Sequence, residues 1–239
     1  LYSGTNKYTL VLEEGGVSTI QDDASPVPEN TAPAPSYLAE RSYAPQNRYT
    51  HISPSANDSW YADRLMALNS SVSKDVTLTI DDYSPALNTA SFGNSVIARM
   101  PNPRPKLRVN LWGGSNLPGN GLTEPDHHVL VEFNGTVVAD ESFDGLHEYP
   151  IETTLSNLRH GQNVVSVELP KDHGYQFDLV NLDSVTIQYP RLFKAENSGK
   201  NLSFASAWGF FKVSELKSEV VTVVPVSYTH LTLPTIVRG

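Results

Sequence analysis

Cysteine is absent from all 239 residues. Disulfides, thiolate metal sites and a thiol nucleophile are therefore excluded from this chain. Long apolar runs are missing too: no stretch of about 18 uninterrupted apolar residues occurs, so no segment reads as a membrane-spanning helix. Positive charge is sparse, with 17 Lys and Arg against 26 Asp and Glu and a net charge of −9. The basic residues are scattered, whereas a nucleic-acid surface needs them clustered, so nucleic acid is not an expected partner. A Gly-x-Ser-x-Gly elbow is lacking, since Gly113-Gly114-Ser115-Asn116-Leu117 has no final glycine, and phosphate-binding loops are absent. No repeat of fixed period appears, which argues against solenoids and propellers.

What remains divides into three parts. Residues 1–74 carry a β-prone run at Lys7–Leu12, a Pro-rich arm from Gln21 to Pro35, and a segment from Asn57 to Leu68. That last segment has a capping residue, acids in its first turn and apolar side chains at Tyr61, Leu65 and Leu68, which predicts one short helix. Residues 75–225 change to period two. Residues 226–239 are expected to be a non-native tail, because Val226–Ile236 resembles the in-frame translation of sequencing-adapter DNA. Leu1 stands where a start methionine would, with no charged n-region followed by an apolar stretch, so the chain is expected to begin inside a longer protein.

Within 75–225, strand-like runs recur at 75–80, 106–112, 128–133, 136–143, 149–155, 163–169 and 181–189, followed by 201–205, 209–213 and 219–225. Asn134-Gly135 between two such runs is a strong hairpin signal, because both central positions of a type I′ turn need positive φ. Many short strands, almost no helix and frequent Gly and Pro punctuation predict an all-β, antiparallel, jelly-roll-like β-sandwich. Its expected core includes Val129, Val131, Phe133, Val165, Val167, Leu182, Val185 and Ile187.

Three segments carry a resemblance: Pro125–Thr136 with Phe143-Asp144-Gly145, Leu158–Val165, and Asn181–Arg191. Asp58–Leu65, Leu202-Ser203-Phe204 and Gly209–Val213 flank them. In order and spacing they resemble the β-sandwich domain that precedes the catalytic domain of bacterial gingipain-type cysteine peptidases. The resemblance implies a non-catalytic region of an exported protein, extracellular or at the cell surface, whose partner is the adjacent peptidase domain. That family's chemistry uses a His-Gly and a Cys, each ending an apolar strand. His160-Gly161 and His173-Gly174 match the dipeptide, but neither follows a buried strand and no Cys exists to pair with them.

Four further constellations carry chemistry-bearing residue types. Asp126-His127-His128 offers metal-ligand types, but adjacent histidines on a strand face opposite sides, so strand-entry residues are the expected reading. Asp183, between Leu182 and Val185, is expected to be a structural carboxylate, with a structural Ca²⁺ as the alternative; no other cofactor is implied. Asp144-Gly145 reads as a tight turn. Trp112, Tyr175 and Trp208 stand beside glycines, where rings could stack on a sugar; burial in a core or interface is the competing reading. A glycan-binding module that uses these loop aromatics is accordingly the alternative to a peptidase scaffold that docks the catalytic domain or contacts substrate, so a glycan or a protein substrate is a further candidate partner.

Overall fold

The computed structural model describes residues 34–50, 59–89, 104–117, 125–196, 201–204, 210–217 and 235–238. The expected runs at 7–12 and 219–225, and the Pro-rich arm apart from its last two residues, lie outside these. Among the described residues the chain is built from strands, with one short 3₁₀ turn at Pro85–Thr89.

Two antiparallel sheets face each other. One has the order β5 (Val72–Ile80), β10 (Gly161–Leu169), β7 (His127–Phe133), β8 (Thr136–Phe143). The other has the order β1 (Tyr37–Tyr43), β11 (Asp178–Arg191), β6 (Lys106–Gly113), β9 (Glu148–Thr154), with β4 (Asp63–Ala67) also paired to β11. Beside these lie two short ribbons, β2 (Arg48–Tyr49) with β3 (Trp60–Tyr61), and β12 (Phe210–Val213) with β13 (Thr235–Arg238). The boundary drawn at 74/75 falls inside β5, and β1 and β4 from its upstream side pair with β11.

Alternation makes the sandwich. Every core residue expected from the sequence is fully buried, and Val76, Ile80, Leu107, Val109, Leu111 and Tyr189 join them between the sheets. β11 would lose this alignment without a correction, because Leu182 and Val185 differ in parity yet both point inward. The register shift between Leu182 and Ser184 supplies it: Asp183 is the extra residue of a bulge, exposed, with its carboxylate accepting from Ser184 Oγ at 3.1 Å. The Asn134-Gly135 turn forms as expected, with φ of 50° and 79°.

The short helix expected within Asn57–Leu68 does not form in its described part; Trp60–Tyr61 and Asp63–Ala67 are strands. Leu65 and Ala67 are buried while Arg64 and Met66 are exposed, a period of two set by pairing with β11, and tertiary pairing overrides the local helical signal. Of the expected run 201–205, residues 201–204 hold only an isolated bridge from Asn201 to Glu196.

Ion pairs join elements across the rim: Lys74 Nζ reaches Asp63 Oδ2 at 2.7 Å and Arg41 reaches Asp81 at 3.0 Å. Arg191 is a buried charge. It donates to the Tyr37 hydroxyl, to Asp82 Oδ2 and to Glu196 Oε1. Burial opposes its charge, but the hydrogen bonds it donates to Glu196 and Asp82 outweigh that and push its pKa further up.

Candidate functional site

The richest chemistry gathers where β7 begins. His127 points into the core and is fully buried, while His128 points outward, as alternation along a strand requires. Each ring is held between acceptors on both sides. His127 Nδ1 meets Asp178 Oδ1 at 2.7 Å and Nε2 meets the Ser115 carbonyl at 3.1 Å. His128 Nδ1 meets Asp172 Oδ1 at 2.7 Å and Nε2 meets Asp140 Oδ1 at 2.8 Å. A carbonyl or an ionised carboxylate only accepts, so this arrangement favours a proton on each of the four ring nitrogens, that is, the cationic form of both rings. Burial works against the charge on His127, but the Asp178 hydrogen bond and the Asp178 and Asp126 charges outweigh it and raise its pKa. His128 follows the same pattern: burial opposes its charge, and its Asp172 and Asp140 hydrogen bonds prevail. The same His128 bond lowers the pKa of Asp172.

Around this pair, carboxylates bind loops. Asp126, almost fully buried, accepts from Leu117 N at 3.0 Å and Gly145 N at 2.8 Å. Asp144 in turn accepts from Asp126 N at 3.0 Å, so its side chain fixes the neighbouring strand entry. Asp178 Oδ2 accepts from His128 N at 3.2 Å. The Phe143 ring lies 4.6 Å from His127 and stacks on Tyr149 at 4.2 Å. Gly113 is obligatory here: a Cβ on it would sit 1.9 Å from Gly145 O and 2.8 Å from His127 Nε2. Segments 113–117, 125–128, 143–149 and 172–178 are thus tied to one end of the sandwich by buried charge.

Next to the cluster lies an open depression of about 260 Å³ lined by Pro125, His128, Ser142, Asp172 and His173. The His173 side chain is nearly buried. Its Nε2 is 3.3 Å from Asp178 Oδ2 but outside hydrogen-bonding geometry, so neither ring nitrogen has a hydrogen-bond partner among the described residues. Asp172 and Asp140 approach opposite edges of the His128 ring and do not converge on one point. Among the described residues no three His, Asp or Glu side chains form a group that could hold a metal ion.

The residues singled out from the sequence are dispersed. Trp112 is inside β6, partly exposed on the outer face of its sheet. Tyr175 is buried, edge-on to His173 with ring centroids 5.5 Å apart. Trp208 lies outside the described residues. Asp183 occupies the β11 bulge. His160 is exposed in the turn before β10, and His173 sits in the loop before β11; neither ends a buried strand. Missed from the sequence were Asp178, Asp172 and Asp140 as partners of the two histidines, because they stand 12 to 51 residues away with no spacing rule to join them. Also missed were Tyr49 and Trp60, whose exposed rings meet at 5.3 Å on the β2–β3 ribbon. Among the described residues no helix is long and apolar enough to cross a membrane.

No family model and no curated protein matches the chain. Among solved structures it is similar to dimeric latent PorU from Porphyromonas gingivalis, with 11% identity and a TM-score of 0.49 over 78% of this chain. It spans 16% of that PorU chain. It is also similar to the CBM36-1 domain of a multidomain xylanase from the hindgut metagenome of Trinervitermes trinervoides, with 13% identity and a TM-score of 0.35 over 62% of this chain and 96% of that one. A family 35 carbohydrate-binding module from an environmental isolate shows 11% identity and a TM-score of 0.30 over 66% of this chain and 93% of that one. The chain itself is an antiparallel β-sandwich, and its sequence contains no cysteine.

Proposed function

We propose that this chain is a non-catalytic scaffold domain of an exported, gingipain-like cysteine peptidase, and that it docks the neighbouring catalytic unit. The observation that carries the reading is the exposed aromatic pair Tyr49 and Trp60, 57% and 42% accessible, on a ribbon that stands apart from the two main sheets. The ribbon is anchored: Asn47 N donates to Tyr61 O at 3.0 Å, Ala62 N donates to Leu182 O at 2.8 Å, and Tyr61 is buried. Two large rings held outward on a rigid base suit an interface, where aromatic side chains give most area for least entropy lost. Buried charge where β7 begins then serves rigidity, with His127 and Asp178 used internally rather than offered to a substrate. Catalysis would belong to the neighbour, since this sequence has no thiol to attack a peptide bond.

The test uses the gene's neighbouring coding region, expressed as a separate chain. The purified sandwich should cleave no fluorogenic peptide and should bind that neighbour. Replacing both rings, Tyr49→Ser with Trp60→Ser, should weaken binding by about thirtyfold, the size of a hot-spot loss. Peptide cleavage by the sandwich alone, no association, or equal affinity of the double variant would each overturn the reading. A second reading, glycan binding, is favoured by the position of Trp112 on the outer face of the five-stranded sheet.

A further inference from the structure

Facing residues on neighbouring antiparallel strands share one side of the sheet. Register therefore defines a row across four strands: Arg64 on β4, Asn181 on β11, Trp112 on β6 and Glu148 on β9. Arg64 Nε donates to Asn181 Oδ1 at 3.0 Å, which fixes the amide beside the indole. One row toward the sheet's end, Met66 faces Leu179 on the same side, with Met66 45% exposed. Gly114 makes room there: a Cβ on it would lie 2.8 Å from Leu179 Cγ, so the leucine lies over the glycine on the side where Trp112 stands. On the other side of Trp112, Asn110 faces Ser184 and donates to its Oγ at 2.8 Å, while Arg108 Nε donates to Asn110 Oδ1 at 2.8 Å.

The result is a short apolar strip of Trp112, Leu179 and Met66, bordered by guanidinium, amide and carboxylate groups. We infer that this outer sheet face is a saccharide-binding site, with Trp112 stacking on the apolar face of a pyranose ring and Arg64, Asn110 and Glu148 meeting its hydroxyls. The inference rests on the glycan-binding reading and places its site on the sheet rather than at the loops. Sugars need this combination: a flat apolar platform with donors and acceptors at the level of the ring's edge. A protein partner fits less well. A stable interface buries roughly 800 Å² on each side, and here that area would include Arg108, Glu152 and Glu148, all exposed and costly to strip of water.

Cellohexaose and xylohexaose serve as flat-faced probes, followed by NMR on the ¹⁵N-labelled chain, which reads each tryptophan indole N–H separately. The Trp112 indole and the Asn110 and Asn181 amides should shift on titration while the Trp60 indole stays still. Trp112→Ala should weaken affinity at least about tenfold, as loss of one aromatic stacking partner does. Arg64→Ala should weaken it severalfold while the ¹⁵N–¹H pattern of the core strands is retained, the loss of its hydrogen bond to Asn181 being felt only locally. Sugar-induced shifts confined to other residues would overturn this site while leaving the glycan-binding reading intact. Absence of any shift with either sugar in the wild-type chain overturns both.

Discussion

Replacing His127 tests the buried ion cluster most directly. The ring is 0% exposed, and so is its partner Asp178; Asp126 lies 3.7 Å from Nε2 and is 2% exposed. His127→Gln keeps a polar side chain of similar reach but removes the positive charge, leaving two carboxylates in the interior without a cation on that side. Breaking a buried pair by removing one partner costs about 3–5 kcal/mol, and for a chain of this size that corresponds to a fall in Tm of roughly 6–20 °C. The pH dependence has a defined sign. Both His127 and His128 have folded pKa values raised above the unfolded value. Their stabilisation is therefore complete below the unfolded histidine pKa, near ~6.5, and is lost as pH rises through the folded values. Asp172 acts oppositely: its lowered pKa gives stability above the usual carboxylate range that is lost as pH falls through the folded value. Thermal unfolding of the wild type should thus be highest in mildly acidic solution and decline toward alkaline pH. His127→Gln should flatten that decline as well as lower the curve. ¹⁵N NMR of the imidazoles provides the independent reading, since both nitrogens of each ring should show the protonated signature at pH 6. A neutral tautomer at His127, or equal Tm at pH 6 and pH 9, would refute the assignment of a buried imidazolium.

Two further changes probe the frame around it. Gly113→Ala should destabilise strongly, because the new Cβ meets the Gly145 carbonyl at 1.9 Å and only a backbone shift relieves it; urea unfolding should show a lower midpoint, with ¹⁵N–¹H shifts spreading through 143–147 and His127. Arg191→Leu should cost about 1–3 kcal/mol, because Asp82 and Glu196 lose the buried guanidinium while Lys194, 3.8 Å from Asp82, and Arg41, 4.0 Å from Glu196, remain beside them; the denaturation midpoint should fall, and the loss should shrink if Asp82→Asn is added.

The fold was legible where one physical signal acted alone. β7 and β8 announce themselves through alternation and Asn134-Gly135, and β5, β6, β9, β10 and β11 each match a period-two run to within a few residues. β1 was not legible, because Tyr37-Leu38-Ala39-Glu40-Arg41-Ser42-Tyr43 has no β-branched residue, and its strand character comes from pairing along β11. β4 gave a wrong signal for a related reason. Tyr61, Leu65 and Leu68 happen to fall at helical spacing, yet β11 offers a free edge at Asp178–Leu182, and pairing with it buries Leu65 and Ala67 completely enough to outweigh local preference.

The candidate site was less legible than the fold, and the histidines show why. Asp126-His127-His128 displays its residue types, and the opposite facing of the two rings follows from strand geometry alone. What the rings do depends on Asp178, Asp172 and Asp140, which three different elements deliver: the start of β11, the loop before it, and β8. No periodicity links those positions, because the sandwich brings them together only after β7 has found both of its neighbours. The same holds for the outer sheet face, where Arg64, Asn181, Trp112 and Glu148 become a row through three separate strand pairings. A single-residue slip in β11 would move Asn181 to the opposite face, and the Asp183 bulge keeps the strand's two halves in phase with their partners. Asp183 was singled out as a carboxylate; its consequence is geometric, since the extra residue lets Leu182 and Val185 both face the core while Asn181 and Ser184 both face outward.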